Sequence, residues 1–498
     1  MSLEARIAEL ELLICGLGVE VERLQTENTG LRARVEVLET ENAALRAEIV
    51  SLKSKGLKNS GNSSMPPSRD PAAERQRQAS ERQAKKRRAA GGTSRRPGGQ
   101  PGSPGTTRSQ TDTPDVTIDH VPECCSGCGA GLSDAAVTGV TRRQSIDIPP
   151  VKPVVIEHRV ETRRCACGTV TAGRFPDHVR APVSYGPGVK AAVVYLLARQ
   201  HIPVARCAEA MRDLFGVRLS TGTIDAIYTD AGRRLGGFIT ALVATLRTLA
   251  VVHVDETTDR IGTVTCWMHV VSTNMFTLIH ASATRGIKAV HDAGVLAGYK
   301  GVMVHDRLAM YWQFRRAKHQ VCGAHLLRDL ASVAQVATQT GWASGLAQLL
   351  VEINTACDQA RSAGHKALAP HRQRQFATRY DQLVAAGHAA NPDPPPKRKR
   401  DSLQRESHNL AVAFTAHRRS ILRFMYDLDV GMTNNQAERD LRPVKIHRKI
   451  SSCFRDQPGA DRFAHVRSYL STTRKHDIPA IDALTQLFNN DPWMPLTT

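Results

Sequence analysis

Near its C-terminus the chain reads TNNQAERDLRPVKIHRK over 433–449, a helix-compatible run that sets one carboxylate, Glu438, among Arg439, Arg442, Lys445, Arg448 and Lys449. Two further carboxylates stand far upstream, each closing a β-type run: Asp255 after VVHV and Asp306 after GVMVH. Two strand-end aspartates and a glutamate on a cationic helix are a set of hard oxygen donors suited to two divalent ions, Mg2+ or Mn2+, over a phosphodiester. Arg439, Arg442, Lys445 and Arg448 are of the type that grips phosphates beside such a centre, a solvated basic helix face being the plainer alternative. Glu256 should alternate to the opposite strand face, and Asp440 points elsewhere on its helix, so neither joins the set.

A different chemistry resides in two cysteine doublets. CCSGCG supplies Cys125 and Cys128, and RRCACG supplies Cys165 and Cys167. Four thiolates from two tight knuckles can close a tetrahedral Zn2+ site and fold a segment with little core of its own. Soft thiolates and hard carboxylates select different metals, so the two centres should be separate. Cys124 is an alternative ligand. Redox-active doublets are the competing reading, although no thioredoxin-like βαβ pattern accompanies them.

The elements that must position the carboxylates follow from the pattern. The runs VVHVDET, GTVTCWMHVVS and MFTLIHAS, a helix beginning near Gly286, then GVMVHD and QVCGAH, outline the first part of an RNase H-like α/β core over 251–340. Asp306 and Glu438 are 132 positions apart, so 341–430 reads as a helical insertion, and 431–498 as the Glu438 helix with C-terminal helices. Upstream, 181–250 is helical. Two of its helices flank Phe215 to Leu219, with Ser220 or Thr221 as a cap, in the outline of a helix-turn-helix that reads DNA, an outline that packed helical hairpins share.

Leucine recurs at every seventh position from Leu3, through Leu10, Leu17, Leu24, Leu31, Leu38 and Leu45, to Leu52. With β-branched residues at most a positions, and Asn28 and Asn42 at two of them, residues 1–55 read as a parallel two-stranded coil that makes the protein at least a homodimer. A lone amphipathic helix packed on the body is the alternative. Residues 56–115 form a linker too polar to bury a core, whose Lys85, Lys86, Arg87 and Arg88 can track a DNA backbone or serve as a solvated tether. The zinc module then occupies 116–180, making a multidomain α+β chain.

Composition agrees with a polyanionic partner. A formal net charge of +20 and a pI near 9.8 favour salt-sensitive binding to nucleic acid. No stretch approaches the ~20 apolar residues that span a bilayer, and the N-terminus lacks the apolar core of a secretion signal, so a cytoplasmic, nucleoid-associated protein is expected.

Taken together, the leucine-rich helix, KNSGNSSMPPSRD, GGQPGSPG, the cysteine doublets, YGPGVKAAVVYLL, VDET, CGAH and NNQAERDLRP resemble transposases of the insertion-sequence-66 family, within the DDE superfamily. The resemblance implies that Asp255, Asp306 and Glu438 are the catalytic triad and that the core has the RNase H-like fold. It implies binding of double-stranded DNA at the element's ends and at a target, with accessory proteins of the same element as partners. Cys322 and His325 resemble a C-x-x-H element of several transposase groups, as a helix-start contact or as metal ligands. The chain departs from the family pattern in reading MVHDRLAMYWQF around Asp306, where a DGY-type sequence is usual. The expected function is Mg2+-dependent DNA cleavage and strand transfer. A non-catalytic DNA-binding regulator, an inactive copy and an RNase H-like nuclease without strand transfer are the alternatives.

Overall fold

The computed structural model describes residues 16, 18–41, 76–77, 79–81, 108–176, 179, 181–336, 338–392 and 403–495. Residues 18–41 are helical and exposed, with Leu24, Leu31 and Leu38 each more than half exposed along one side. Asn28 lies on the same helix, whereas Leu10, Leu17, Asn42, Leu45 and the cluster Lys85, Lys86, Arg87 and Arg88 fall outside the described residues. Among the described residues, no helix is long and apolar enough to cross a membrane.

The chain divides into two compact units. One comprises Arg75–Pro182 and Ala208–Leu219. It includes a small antiparallel pair, β1 (Thr162–Arg164) and β2 (Val170–Ala172), joined by the second cysteine turn. Its surface carries many exposed apolar side chains, among them Val154, Val155 and Ile148, as suits a segment without a sizeable core.

The other unit comprises Met1–Glu74, Val183–Cys207 and Ser220–Thr498. It begins with α1 (Pro187–Val194), which runs into a single π turn at Tyr195–Arg199. The division between units passes through α2 (Val204–Phe215). That helix ends where Gly216 takes a φ of 67° and Val217 N–H bonds the Met211 carbonyl, a glycine stop. Next come α3 (Thr221–Arg234), capped by the Ser220 hydroxyl that accepts from Thr223 N–H at 3.0 Å, and α4 (Gly236–Thr248).

A five-stranded sheet follows: β3 (Val251–Ile261), β4 (Val264–Ser272), β5 (Thr277–Ser282), then α5 (Ile287–Asp292), β6 (Val302–His305) and β7 (Lys318–Val321). The spatial order is β5-β4-β3-β6-β7, with β3, β4 and β5 antiparallel and β3, β6 and β7 parallel. Chain order continues with α6 (Gly323–Val333), α7 (Thr340–Ser362), α8 (Pro370–Ala389), α9 (Leu403–Ala416), α10 (Arg418–Ile421) and α11 (Arg423–Tyr426). These helices bury their own core of Trp342, Leu346, Ile353, Phe376, Tyr380, Phe414 and Phe424, so the long interval before Glu438 folds as an inserted helical body.

The last helices are α12 (Asn435–Ser451), α13 (Gln457–Lys475) and α14 (Ala480–Phe488). Helix α12 lays Ala437, Leu441 and Val444, and α13 lays Ala460, Phe463 and Ala464, against Met268, Val270, Ile279 and Ala281 of the sheet. The edge strand β5 would leave amides unpaired, and α13 answers two of them. Ser468 Oγ accepts from Ile279 N–H at 2.8 Å, and Thr472 Oγ1 accepts from Thr277 N–H at 3.1 Å. A buried ion pair, Lys475 Nζ to Asp440 Oδ2 at 2.7 Å, ties α13 to α12.

Candidate active site

Asp255 is paired with Val270 of β4, and directly paired residues share a face, so its carboxylate lies on the face that α12 covers. The parallel pairing of β3 with β6 sets His253 beside Val304. Carrying that register two residues further brings Asp255 level with Asp306, just past the end of β6. Asp306 therefore stands just past the end of β6, whereas Asp255, expected to close its run, lies inside β3, which continues to Ile261 through its antiparallel pairing with β4. Burial, then the negative charges of Glu256, Asp306 and Glu438, push the Asp255 carboxyl up to about 7. Asp306 and Glu438 thus both lie within electrostatic reach of Asp255.

Glu438 stands in the first turn of α12, and its placement rests on Asn434 at the N-cap. An N-cap asparagine ordinarily turns its side chain onto its own helix. Here it turns away. Asn434 Nδ2 donates to the Val254 carbonyl at 2.8 Å, Oδ1 meets His253 Nδ1 at 3.2 Å, and the backbone N–H donates to Cys322 Sγ at 3.1 Å. Cys322 N–H in turn donates to the His305 carbonyl, and Gly323 N–H to the Met432 carbonyl. One buried asparagine and one buried cysteine therefore join β3, β6, α6 and α12 around the carboxylates.

One helical turn beyond each of these anchors, His325 on α6 faces Glu438 on α12. Cys322, His325 and Glu438 form the one group of three metal-binding side chains, among the described residues, whose ligand atoms all lie within 4.8 Å of one another. His325 Nδ1 is 3.9 Å from Glu438 Oε1, and Arg328 approaches the same oxygen at 3.7 Å. Both His325 Nδ1 and Glu438 Oε1 are buried atoms without a hydrogen-bond partner. Asp255 and Asp306 lie outside that tightest group. The donor set nonetheless fits a hard divalent cation, since a cation offsets both the burial and the repulsion that raise Asp255 and satisfies the orphaned glutamate oxygen.

Glu256 points to the opposite strand face, as alternation requires, yet it serves the site indirectly. Its carboxylate accepts from the Tyr311 hydroxyl at 2.7 Å and pairs with Arg285 at 2.6 Å. Tyr311 follows Asp306 in the chain, so this bond ties the loop carrying Asp306 to the strand carrying Asp255. Arg307, between them, takes a φ of 77°, the left-handed region that glycine occupies cheaply, and its guanidinium pairs with Asp329 at 2.7 Å. The departure from the DGY pattern is thus accommodated by a strained arginine with a dedicated partner.

Along α12, Arg439, Arg442, Lys445 and Arg448 are all exposed. Arg442 and Lys445, with Lys449, recur at four, seven and eleven residues from Glu438, so they share its side of the helix. Arg439 bonds Gln436 at 2.6 Å. On α3, the exposed positions include Asp225, which pairs with Arg462, while Arg233 pairs with Asp230. That face holds few cations free for phosphate, in contrast to α12.

In the other unit, Cys125 and Cys128 sit in one turn, and Cys165 and Cys167 in another. Both turns are closed by a glycine directly after the second cysteine, Gly129 with a φ of 75° and Gly168 with a φ of 88°. The two doublets are not gathered into one group of ligand atoms. Within each, however, hydrogen bonds favour thiolate: those from Cys128 and Gly127 lower Cys125, and those from Thr169, then Cys165, bring Cys167 to about 7.

Residues missed from sequence reasoning are Asn434, Arg328 and Tyr311. Asn434 carried a readable signal, being an asparagine at a helix start; what it bonds was not readable.

Residues 122–168 match the zinc-finger binding domain of transposase IS66, a span containing all four cysteines, which supports a structural zinc. Residues 3–109 match a family of unknown function. No curated protein matches the chain. Residues 182–462, more than half the chain and including Asp255, Asp306 and Glu438, match the model of the transposase IS66 family, and the chain therefore belongs to that family of transposases.

Proposed function

We propose that this protein is a DDE transposase whose Asp255, Asp306 and Glu438 hold two Mg2+ or Mn2+ ions and cut and join DNA at the ends of its own element. The observation that carries the reading is the level placement of Asp255 and Asp306 on adjacent parallel strands, with Glu438 close enough to help raise Asp255. Strand order β5-β4-β3-β6-β7, three antiparallel then two parallel, supports an RNase H-like core. When bound, such ions stabilise charge on the phosphate and make water or a hydroxyl a competent nucleophile.

The chain's own residues then have defined tasks. Arg442, Lys445 and Lys449 grip successive phosphates and lead the strand toward Glu438. Asn434 and Cys322 hold the Glu438 helix at a fixed distance from Asp255, and Tyr311 with Glu256 does the same for the Asp306 loop. Cleavage forms a bond from water oxygen to phosphorus and releases a 3′-hydroxyl; joining forms a bond from that hydroxyl to target phosphorus and releases the target's own 3′-oxygen. Cys125, Cys128, Cys165 and Cys167 hold Zn2+. The apolar seam of residues 18–41 pairs two copies of the chain, bringing two element ends together.

The test is mobilisation in cells of a marker flanked by the element's terminal repeats, with neighbouring genes of the element supplied or omitted. Movement should disappear with Asp255→Ala, Asp306→Ala and Glu438→Ala in folded protein. Specific binding to the ends without movement in the wild type, under every supplement, would instead identify a DNA-binding regulator or an inactive copy. Cutting without joining would identify a nuclease.

A further inference from the structure

His325 is not needed by the carboxylate reading, yet it occupies a telling position. Its Nδ1 and Glu438 Oε1 face each other at 3.9 Å, too far for a hydrogen bond, and neither atom has a hydrogen-bond partner although both are buried. Bonds of about 2.0–2.2 Å to a nitrogen and an oxygen let one cation sit between atoms at such a separation. Water could span the same gap. The surroundings favour a cation, because Asp255 and Asp306 add negative charge and, among the described residues, Arg328 is the one arginine or lysine that pairs with Glu438 Oε1. Cys322 completes the cluster at the base of α6, but its sulfur already accepts the Asn434 N–H, so it positions the helix and leaves His325 as the free donor.

We propose that His325 is a nitrogen ligand to the ion held by Glu438, making one of the two cation positions mixed in donor type and selective for Mn2+ over Mg2+. The inference rests on the proposed metal site. Imidazole binds transition ions well and Mg2+ poorly, whereas an all-carboxylate position discriminates little between them.

The test uses the full-length protein and Mn2+ alone. Electron spin-echo spectroscopy on the bound ion should show a 14N coupling that changes to the 15N pattern when histidine is labelled. His325→Gln should abolish the coupling and weaken Mn2+ binding about ten-fold, while Mg2+, measured by competition, weakens much less. Bound Mn2+ without nitrogen coupling in the wild type overturns the proposal and leaves the carboxylate site standing. Absence of any Mn2+ binding sensitive to Asp255→Asn overturns both. The isotope comparison needs no substitution, so a variant that fails to fold does not decide the matter, and Glu438→Gln should weaken the same nitrogen-coupled signal.

Discussion

The Asn434 backbone N–H donates to Cys322 Sγ across 112 residues of sequence, at 3.1 Å and fully buried. It joins the start of the Glu438 helix to the start of the His325 helix, immediately beyond the strand next to Asp306. The same asparagine reaches β3 with its side chain, so the spacing of the three carboxylates depends on one residue that bears no charge.

Asn434→Ala removes two side-chain contacts from a buried position and should cost about 1–3 kcal/mol by thermal or denaturant unfolding. Under the proposed function, DNA cleavage should fall more than stability explains, on the order of a hundred-fold, because small misplacements of a reacting group are that costly. Asn434→Asp keeps the acceptor facing His253 but sets a buried carboxylate oxygen against the Val254 carbonyl, and should cost at least as much stability as alanine.

Arg307 permits a clean separation of strain from pairing. Arg307→Ala and Arg307→Gly both strand Asp329, but glycine alone relieves the positive φ. The glycine variant should therefore be more stable than the alanine variant by about 1–2 kcal/mol, measured by equilibrium unfolding.

Asp259 is fully buried on β3, accepts from Arg260 N–H through Oδ1 and leaves Oδ2 without a partner. Burial raises its carboxyl to about 6, above the usual carboxylate value. The folded state thus holds this proton where the unfolded chain has released it, so Asp259 costs stability progressively as pH rises from about 4 to about 6, and the cost is constant above that. Asp259→Asn should stabilise the protein by about 1–3 kcal/mol at pH 7 and much less at pH 4, as melts at the two pH values will show.

Lys475 Nζ shares its three N–H groups among four acceptors, Asp440, Thr277 Oγ1 and the carbonyls of Thr273 and Phe276, all within 3.0 Å. Lys475→Met leaves the Asp440 charge buried and should cost about 3–5 kcal/mol. Adding Asp440→Leu should restore much of that loss, a recovery that a double-mutant cycle measures directly.

Removal of zinc should be felt in one unit. A chelator, or Cys125→Ser, should abolish about one equivalent of bound zinc and open residues 122–168 to proteolysis, while the sheet and α12 keep their amide protection.

Much of this organisation was legible in the chain. Period-two alternation marked β3, β4 and β5, and the hydrophobic run before Asp306 marked the end of β6, whereas β3 runs past Asp255 to Ile261 because β4 pairs with it along its whole length. The glycine after each second cysteine marked the two turns. Other features were not legible, for physical reasons. Nothing in a local pattern says that α13 will offer Ser468 and Thr472 to the edge amides of β5, since both read as ordinary polar positions on a helix. Asn434 looks like a helix cap, and only tertiary packing turns it onto β3. Arg307 shows as a departure from a pattern, but its left-handed backbone and its pairing with Asp329 are set by where α6 lies.

The helical body inserted between Asp306 and Glu438 also imposes an order in time. A ribosome adds ~5–20 residues per second, so roughly 7–26 s pass between synthesis of the second aspartate and synthesis of the glutamate, while everything upstream can already fold. Throughout that interval the nascent protein carries its cysteine turns and its basic tether without the third carboxylate. The three carboxylates can therefore come together only after the whole helical body has been made, so the site is among the last parts of this unit to be assembled.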